Sequence, residues 1–338
     1  MEIAVTGATG YLGAHTVRAL LTAGHRVRLL VPSELTNAAV IGELRRLGPV
    51  TVTVGDLRDA ASIDALLAGA DAVLHAAGVV GTDERQAQLM WDVNAYATET
   101  VLSRAADRGL DPIVSVSSYS ALFPPPTAMI TPDSPTAPGR STYAKTKGYA
   151  DRVARRLQDA GAPVVVTYPS SVVGPAFWTA PGVTERGWAP IVRWAVAPRV
   201  RGGMQMVDVR DVATVHLRIM VSGLGPRRYT CGGHMLSFDE MVDALEAGVG
   251  RRIRRVRLSP SIMRGLGRIA DVVGRHIALA DGLSYEAALL LTAATPTDDS
   301  RTRRDLDVQW RSPTAAIVES VRASRVDSNG QQFGDPRL

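Results

Sequence analysis

Short runs rich in apolar and β-branched residues recur along the first half of the chain, at Glu2–Thr6, Arg26–Val31, Val50–Val54, Ala72–His75, Pro112–Ser117 and Pro163–Tyr168. Between them lie stretches whose apolar positions follow helical spacing: Tyr11–Ala23, Asn37–Leu47, Ser62–Ala68, Glu84–Arg108 and Thr142–Ala160. Continuous apolar runs of this length suit strands buried on both faces, and their alternation with helices means βαβ units with right-handed crossovers. The pattern predicts an α/β fold, a doubly wound parallel sheet. After Tyr168 the rhythm changes. Gly174-Pro175, Pro181-Gly182, Gly202-Gly203 and Gly225-Pro226 punctuate shorter elements. Helical periodicity returns at Asp211–Val221, Asp239–Gly248, Pro260–Val273 and Ser284–Ala294. This half predicts a smaller, irregular C-terminal domain against the sheet's C-terminal edge. The expected division is residues 1–172, with 204–222 returning to them, against 173–203 and 223–323; the polar, aperiodic residues 324–338 read as a flexible tail. Leu122–Gly139 is too rich in proline for strand or helix, and reads either as a stiff surface connector or as a cover over a site.

Composition narrows the class. With 338 residues, 46% hydrophobic and 21% charged, a sizeable core is available and wholesale disorder is excluded. Apolar stretches such as Ala287–Leu291 and Pro163–Val166 are far too short to span a bilayer, and Ile3-Ala4-Val5 leaves no room for a basic leader segment. Cys231 is the only cysteine, so neither an internal disulfide nor a cysteine zinc cluster can form, which fits a reducing cytoplasm. The net charge of +5 raises nucleic acid as a partner. Against it, Lys145 and Lys147 are the only lysines among 38 basic residues, a skew that reads as compositional bias, and 5% aromatics offer no stacking platform. No nucleic-acid and no membrane partner is expected.

The chemistry begins at Thr6-Gly7-Ala8-Thr9-Gly10-Tyr11-Leu12-Gly13, which leaves the first strand and opens the first helix. In that setting Gly7 permits the turn, Gly10 admits a pyrophosphate to the backbone, and Gly13 lets helix and strand pack. The free N–H groups of the helix start, at Tyr11 and Leu12, then hold the anion. A bare glycine turn is the weaker alternative. An acid at the end of the second strand would bind a ribose 2′-hydroxyl, and an Arg a 2′-phosphate. Here Val31-Pro32-Ser33-Glu34 offers neither at the usual place, though Ser33 can hydrogen-bond either form. Asp56 and Leu57 follow the third strand, as adenine contacts or as a helix cap. His75-Ala76-Ala77-Gly78 ends the fourth strand in small residues that let backbone pass close to a ligand, with His75 itself a packed strand residue.

Tyr143-Ala144-Lys145-Thr146-Lys147 is the most informative stretch, with Ser141 or Thr142 as the helix cap. Tyr143 and Lys147, at i and i+4, share one helical face. A phenol with an ordinary pKa near 10 is a poor acid or base, and a nearby ammonium brings it toward working pH. With 8 tyrosines and so few lysines, about 0.05 such pairs are expected by chance. Ser115-Val116-Ser117-Ser118 closes the fifth strand on the edge where a doubly wound fold binds ligands.

Taken with Asn94, Tyr168–Pro175 and Val207–Ala213, these motifs resemble the extended short-chain dehydrogenase/reductase family, the NAD-dependent epimerase/dehydratase group, over residues 2 to 312. In style they are nearest its dihydroflavonol-reductase and 3β-hydroxysteroid-dehydrogenase-like branch. The resemblance implies a Rossmann domain carrying the cofactor and a C-terminal domain carrying the substrate. It implies catalysis by Ser118, Tyr143 and Lys147, with Tyr143 as acid/base, Lys147 lowering its pKa and binding the nicotinamide ribose, and Pro169, Ser170, Ser171 and Val172 flanking the nicotinamide. It makes Asp211 a structural coupling residue and leaves Asn94 as either a backbone tie or a proton relay. Residues 84–108 and 142–160 match the helix pair that forms a four-helix dimer interface in the family, where monomers also occur. Tyr119-Ser120 stand where sugar dehydratases carry Asp-Glu, which argues against dehydration.

Three functions follow. The first is a reductase or dehydrogenase acting on an apolar small molecule, since Phe177, Trp178, Trp188, Ile191 and Trp194 come early in the second half. The second is a nucleotide-sugar epimerase with tightly held NAD, kept open by Arg186, Arg193, Arg199 and Arg201. The third is a non-catalytic dinucleotide sensor, which would not need Ser118, Tyr143 and Lys147 together. Val31 removes the repulsion an acid would exert on a 2′-phosphate, and the positive balance favours the more anionic cofactor; NADP is thus favoured, with NAD as the alternative.

Overall fold

The structure is a computed structural model, which describes residues 1–81, 83–273 and 284–327. In chain order its first part comprises β1 (Glu2–Thr6), α1 (Tyr11–Thr22), β2 (Arg26–Val31), α2 (Ala38–Leu47), β3 (Val50–Val54), α3 (Ala60–Leu67) and β4 (Ala72–His75). A continuous helix follows, made of α4 (Ala87–Met90), a π-helical stretch Trp91–Ala97 and α5 (Thr98–Asp107); then come β5 (Ile113–Val116), α6 (Thr142–Asp159) and β6 (Val164–Pro169). The remainder comprises β7 (Ser171–Val173), α7 (Val183–Trp194), β8 (Val196–Arg199), β9 (Gly203–Asp208), α8 (Val209–Arg218), β10 (Arg227–Cys231), β11 (His234–Ser237), α9 (Phe238–Val249), β12 (Arg254–Arg257), α10 (Pro260–Val273), α11 (Tyr285–Ala293), α12 (Ser300–Leu306) and α13 (Pro313–Asp327).

Seven strands form one parallel sheet in the order β10-β6-β5-β4-β1-β2-β3. The chain winds outward through β2 and β3, then crosses back to β4, so the order reverses between β1 and β4. A crevice opens there beyond the strands' carboxyl ends, the place where such sheets bind ligands. Helices cover both faces. One apolar layer joins Val5, Leu29 and Val114 to Val17 of α1 and Val215 of α8; the other joins Val73, Ile113 and Val166 to Leu66 of α3 and Leu102 of α5. Two buried imidazoles pin these layers. His75 bridges Thr6 Oγ1 and Thr98 Oγ1, each at 2.8 Å, and His216 bridges Thr16 Oγ1 at 2.9 Å and Thr167 Oγ1 at 3.1 Å. Burial draws both down to a pKa of about 3, so both are neutral pegs.

β7, β9 and β11 form a separate small sheet, and β8 pairs with β12. A third core gathers Trp188, Leu236, Phe238, Val242, Leu245 and Ile317 between α9 and α13. Two elements depart from the sequence expectations. β10 lies within 223–323 yet is an edge strand of the main sheet, because Arg227–Cys231 finds β6 as a partner. Residues 324–327, expected in a flexible tail, continue α13, whose Ala316, Ile317 and Val321 are anchored in the third core; 328–338 lie outside the described residues. The proline-rich loop runs exposed over residues 126–129 and is stiffened by anchors, as a surface connector would be: Ile130 N–H donates to Pro296 O at 2.9 Å, Ala137 N–H to Ala121 O at 2.8 Å, and Thr136 bonds Asp151 of α6.

Candidate active site

At the crevice, the turn after β1 is built for close approach. A Cβ on Gly7, whose φ is +71°, would stand 2.5 Å from Ala77 N; one on Gly13 would stand 1.9 Å from Gly7 O. Neither could be accommodated without moving backbone. On Gly10 the nearest atom would be Gly7 O at 3.3 Å, with nothing else within 4 Å among the described residues, so that flank is open. α1 begins without a capping side chain and without an acid in its first turn. Its first N–H groups therefore face the opening without an intrahelical partner, which suits a diphosphate. The residues present thus fit a dinucleotide.

The flanking positions are arranged as follows. Ser33 follows β2 in a turn where its carbonyl accepts from Asn37 Nδ2 at 2.8 Å, and Glu34 pairs with Arg45 at 2.7 Å. Asp56 is held by Arg58 through Nε at 3.0 Å and Nη2 at 2.5 Å, an ion pair that keeps its carboxyl below the usual range; Asp59, not Asp56, caps α3. Leu57 packs on the second apolar layer. Ala76 N–H donates to Thr6 O at 3.1 Å and Ala77 N–H to Thr6 Oγ1 at 3.3 Å, which holds this backbone against the glycine turn. Tyr11 contributes its place at the helix start, but its side chain points elsewhere: the phenol donates to Gly174 O at 2.6 Å. His15 Nε2 lies 2.9 Å from Pro175 O, and Arg18 stands over the Phe177 ring. α1 thus clips residues 174–177 in place.

Ser118, Tyr143 and Lys147 come together at the ends of β5 and α6. Ser118 follows β5 and accepts from Ser120 N–H at 3.2 Å and Ser120 Oγ at 3.0 Å, with its hydroxyl beside the Tyr143 phenol. Ser141 caps α6, its hydroxyl accepting from Ala144 N–H at 3.1 Å, which fixes the turn carrying Tyr143. Lys147 is buried; its ammonium donates to Val116 O at 3.1 Å, and a Cβ on Gly78 would lie 3.5 Å from Nζ. Ser117 is buried beside them, its hydroxyl without a partner among the described residues.

The electrostatics correct one expectation. The Tyr143 phenol is not brought toward neutrality by Lys147. Burial pushes it up to about 12, opposed by the Ser118 hydroxyl and reinforced by Tyr119 and Glu286. Burial also draws Lys147 down to about 8. The Tyr143 phenol is therefore protonated at neutral pH. Asn94 is a backbone tie in this structure. Its Oδ1 accepts from Val79 N–H at 2.7 Å and its Nδ2 donates to Val79 O at 2.9 Å and Thr146 Oγ1 at 3.3 Å. The π-helical stretch Trp91–Ala97 aims it there. Asp211 accepts from Arg311 N–H at 2.6 Å and pairs with the same guanidinium, joining α8 to the segment before α13.

Three residues near this centre escape the sequence reading. Tyr119 is buried beside Tyr143, and burial pushes its phenol up to about 12. Glu286 of α11 accepts from Ser141 N–H at 2.7 Å, and Glu84 accepts from Thr142 N–H at 3.2 Å, so two carboxylates grip the start of α6. Burial and the neighbouring Glu84 and Asp271 hold Glu286 above the usual carboxylate range, against two hydrogen bonds from Ser141. The aromatic residues expected to line the substrate space do not converge there. Trp188 is in the third core with Ile191 packed on it, Phe177 lies on α1, and Trp178 and Trp194 are exposed. Pro169 ends β6, Ser170 Oγ donates to Gly232 O at 2.8 Å, and Ser171 and Val172 begin β7.

A parallel sheet with a glycine turn at its switch point, and a Ser–Tyr–Lys cluster beside it, defines an NAD-dependent enzyme of the extended short-chain dehydrogenase/reductase type. The chain belongs to the NAD dependent epimerase/dehydratase family, whose model matches residues 3–232. It is 30% identical over 327 residues to a "Sterol demethylase protein B" of Methylococcus capsulatus, covering 95% of this chain and 97% of that protein. It is 28% identical over 222 residues to a "Putative dihydroflavonol 4-reductase" of Synechocystis, covering 63% of this chain and 61% of that one. Among solved structures, the UDP-glucose 4-epimerase of Bifidobacterium longum in complex with NAD+ and UDP superposes with a TM-score of 0.76 at 20% identity, over 98% of this chain and 100% of that one, a likeness of fold. No helix among the described residues is long and apolar enough to cross a membrane.

Proposed function

We propose that this enzyme interconverts a carbonyl and an alcohol on an apolar small molecule, with Tyr143 as acid/base. The observation that carries the reading is the Ser118–Tyr143–Lys147 cluster, with the buried phenol beside the Ser118 hydroxyl and Lys147 anchored to Val116 O. The glycine turn Gly7, Gly10 and Gly13, with the N–H groups of Tyr11 and Leu12, would hold the pyrophosphate. Ser33 would reach the adenosine ribose, Asp56 and Leu57 the adenine, Ala76, Ala77 and Gly78 the passing backbone, Tyr143 and Lys147 the second ribose, and Pro169, Ser171 and Val172 the nicotinamide. That group supplies or takes the hydride. In the reducing direction Tyr143 Oη gives its proton to the substrate oxygen, while Ser118 Oγ orients that oxygen. An apolar substrate is supported by Leu289 and Leu290 of α11, which pack against the layer containing Tyr119 and Phe123, and by the sterol named for the 30% identical relative. The epimerase reading needs arginines free for a diphosphate; Arg199 is instead drawn onto Asp239 at 3.0 Å. We place the cofactor site in residues 1–172, substrate contacts mainly in 173–203 and 223–323, and the protein in the cytoplasm. A homodimer would use the helix pair 84–107 and 142–159, where Trp91, Tyr96 and Tyr149 form an aromatic cluster.

For the cofactor we favour NADP over NAD. Val31 is buried and places no carboxylate at the ribose, and Arg45 neutralises Glu34. Titration of both reduced cofactors into the protein is expected to show tighter binding of NADPH. A preference of about tenfold or more for NADH (about 1.4 kcal/mol) would overturn this choice and leave the site itself standing.

Lys147 gives a pH prediction. Its folded pKa near 8 lies below the ordinary lysine value, so the ammonium is lost as pH rises through about 8. The rate of carbonyl reduction should fall over that range in a pH–rate profile. Lys147→Arg should lower turnover at least about tenfold at pH 7, because a planar guanidinium does not fit the buried place of Nζ.

A further inference from the structure

α10 (Pro260–Val273) is amphipathic in the reverse of the usual sense. Ile262, Leu266, Ile269 and Val273 recur at three- and four-residue spacing and form one stripe. That stripe faces outward: Ile262 is 54% exposed, Leu266 51% and Ile269 61%, with Val272 beside them at 60%. The inward side carries Met263, which packs against the third core, and the buried Gly267, with polar contacts around them. Arg264 Nε donates to Thr292 Oγ1 at 2.8 Å, Asp271 accepts from Tyr285 N–H at 3.2 Å, Arg268 lies over the Tyr285 ring at 4.8 Å, and Gly267 lets the helix close onto Ser284. A soluble surface helix buries its apolar stripe; this one is anchored through Met263, Gly267 and polar contacts, and its outward stripe has no partner among the described residues.

The charge of the chain leading into α10 indicates what covers the stripe. Arg255 is taken up by Asp239, Asp243 and Glu246 of α9. Arg252, Arg254 and Arg257, on the approach to α10, are exposed and make no ion pair among the described residues, and Asp271 is the only acid between positions 251 and 273. Val256 of β12, Val196 of β8 and the 70% exposed Trp194 add apolar and indole surface on the same paired strands and the helix leading into them. Apolar stripe, free arginines and an exposed tryptophan are the composition of a helix that lies in the plane of a bilayer surface. A second copy of the chain is a poorer occupant, since a two-fold pairing would bring these arginines face to face.

We propose that α10 and the β12 arginines form a docking surface for an anionic bilayer, with the helix lying at the headgroup–acyl boundary. This proposal goes beyond the expectation of no membrane partner, which rests on runs too short to span; an in-plane helix needs no spanning run.

The test is co-sedimentation with vesicles of phosphatidylcholine, with and without phosphatidylglycerol. The protein should bind the vesicles containing phosphatidylglycerol and release from them as salt rises. The double variant Leu266→Glu/Ile269→Glu should bind at least about tenfold more weakly. Both sites are exposed, so its melting temperature and dinucleotide affinity should match the parent, which separates loss of docking from loss of fold. Failure of the parent to bind, or equal binding by the double variant, would overturn the proposal. So would a lipid-free dimer that the double variant abolishes, since the stripe would then belong to a second copy.

Discussion

Replacing Tyr143 with Phe is expected to lower turnover by about 10²–10⁴-fold, the usual contribution of a positioned proton donor. The dissociation constant for the dinucleotide should change by less than about threefold, because phosphate binding falls to the glycine turn rather than to the phenol. The substitution removes one oxygen and keeps the ring, so the buried site retains its packing. Ser118 keeps its bonds to Ser120, at 3.2 Å and 3.0 Å. Steady-state rates together with a fluorescence titration of the reduced cofactor separate the two quantities. Near-parental turnover would remove Tyr143 from the mechanism. A rate loss matched by an equal loss of cofactor affinity would make its role one of binding.

Acid should destabilise the fold through its two buried imidazoles. His75 and His216 have folded pKa values of about 3 against an ordinary 6.5, so the folded state resists their protonation while the unfolded chain does not. Their contribution is complete above pH 6.5 and is lost progressively as pH falls toward 3. At pH 4.5 the two-unit gap to the ordinary value amounts to about 2–3 kcal/mol for each histidine. Asp299 works in the opposite direction. Burial raises its pKa to about 6, so its cost to the fold is relieved as pH drops from 6 toward 3.8. The comparison that isolates the histidine is His216→Gln, since an amide can still bridge Thr16 and Thr167 without gaining a charge. In urea unfolding at pH 7 and pH 4.5, the parent should lose about 2–3 kcal/mol more than the variant. Equal losses would mean that His216 does not stay neutral in the folded protein.

The strands and helices of the first half were legible because their signals are local. β1 to β4 match their apolar runs residue for residue, and β5 and β6 each differ by one residue at both ends, at Pro112 and Ser117 and at Pro163 and Pro169. The second half hides its elements. β8 and β12 are four residues each and exist by pairing with one another, and α7 carries Pro190 within it and begins after Pro181-Gly182. At the site, the glycine turn and the Tyr143–Lys147 spacing are contained in a single turn each. Glu286 reaches Ser141 across 145 positions, and Tyr119 meets Tyr143 only once α6 docks on β5, so neither leaves a short-range trace. The direction of the Tyr143 shift was also hidden. Spacing shows that an ammonium is near, but the winning contribution is burial, which only the packed structure reveals.

The π-helical stretch at Trp91–Ala97 has a consequence for how this chain tolerates change in length. A π turn takes in one residue more than an α turn, and each residue of an α-helix advances the azimuth by about 100°. Everything downstream in α5 is therefore phased by that surplus residue: Val101, Leu102 and Ala105 face the sheet, and Thr98 meets His75 at 2.8 Å. Deleting a single residue between 91 and 97 would restore a regular helix and rotate that whole surface by about a quarter turn, carrying the leucine and valine toward water. Substitutions there change one contact; a deletion changes the phase of the helix, and with it the wall on which the sheet packs.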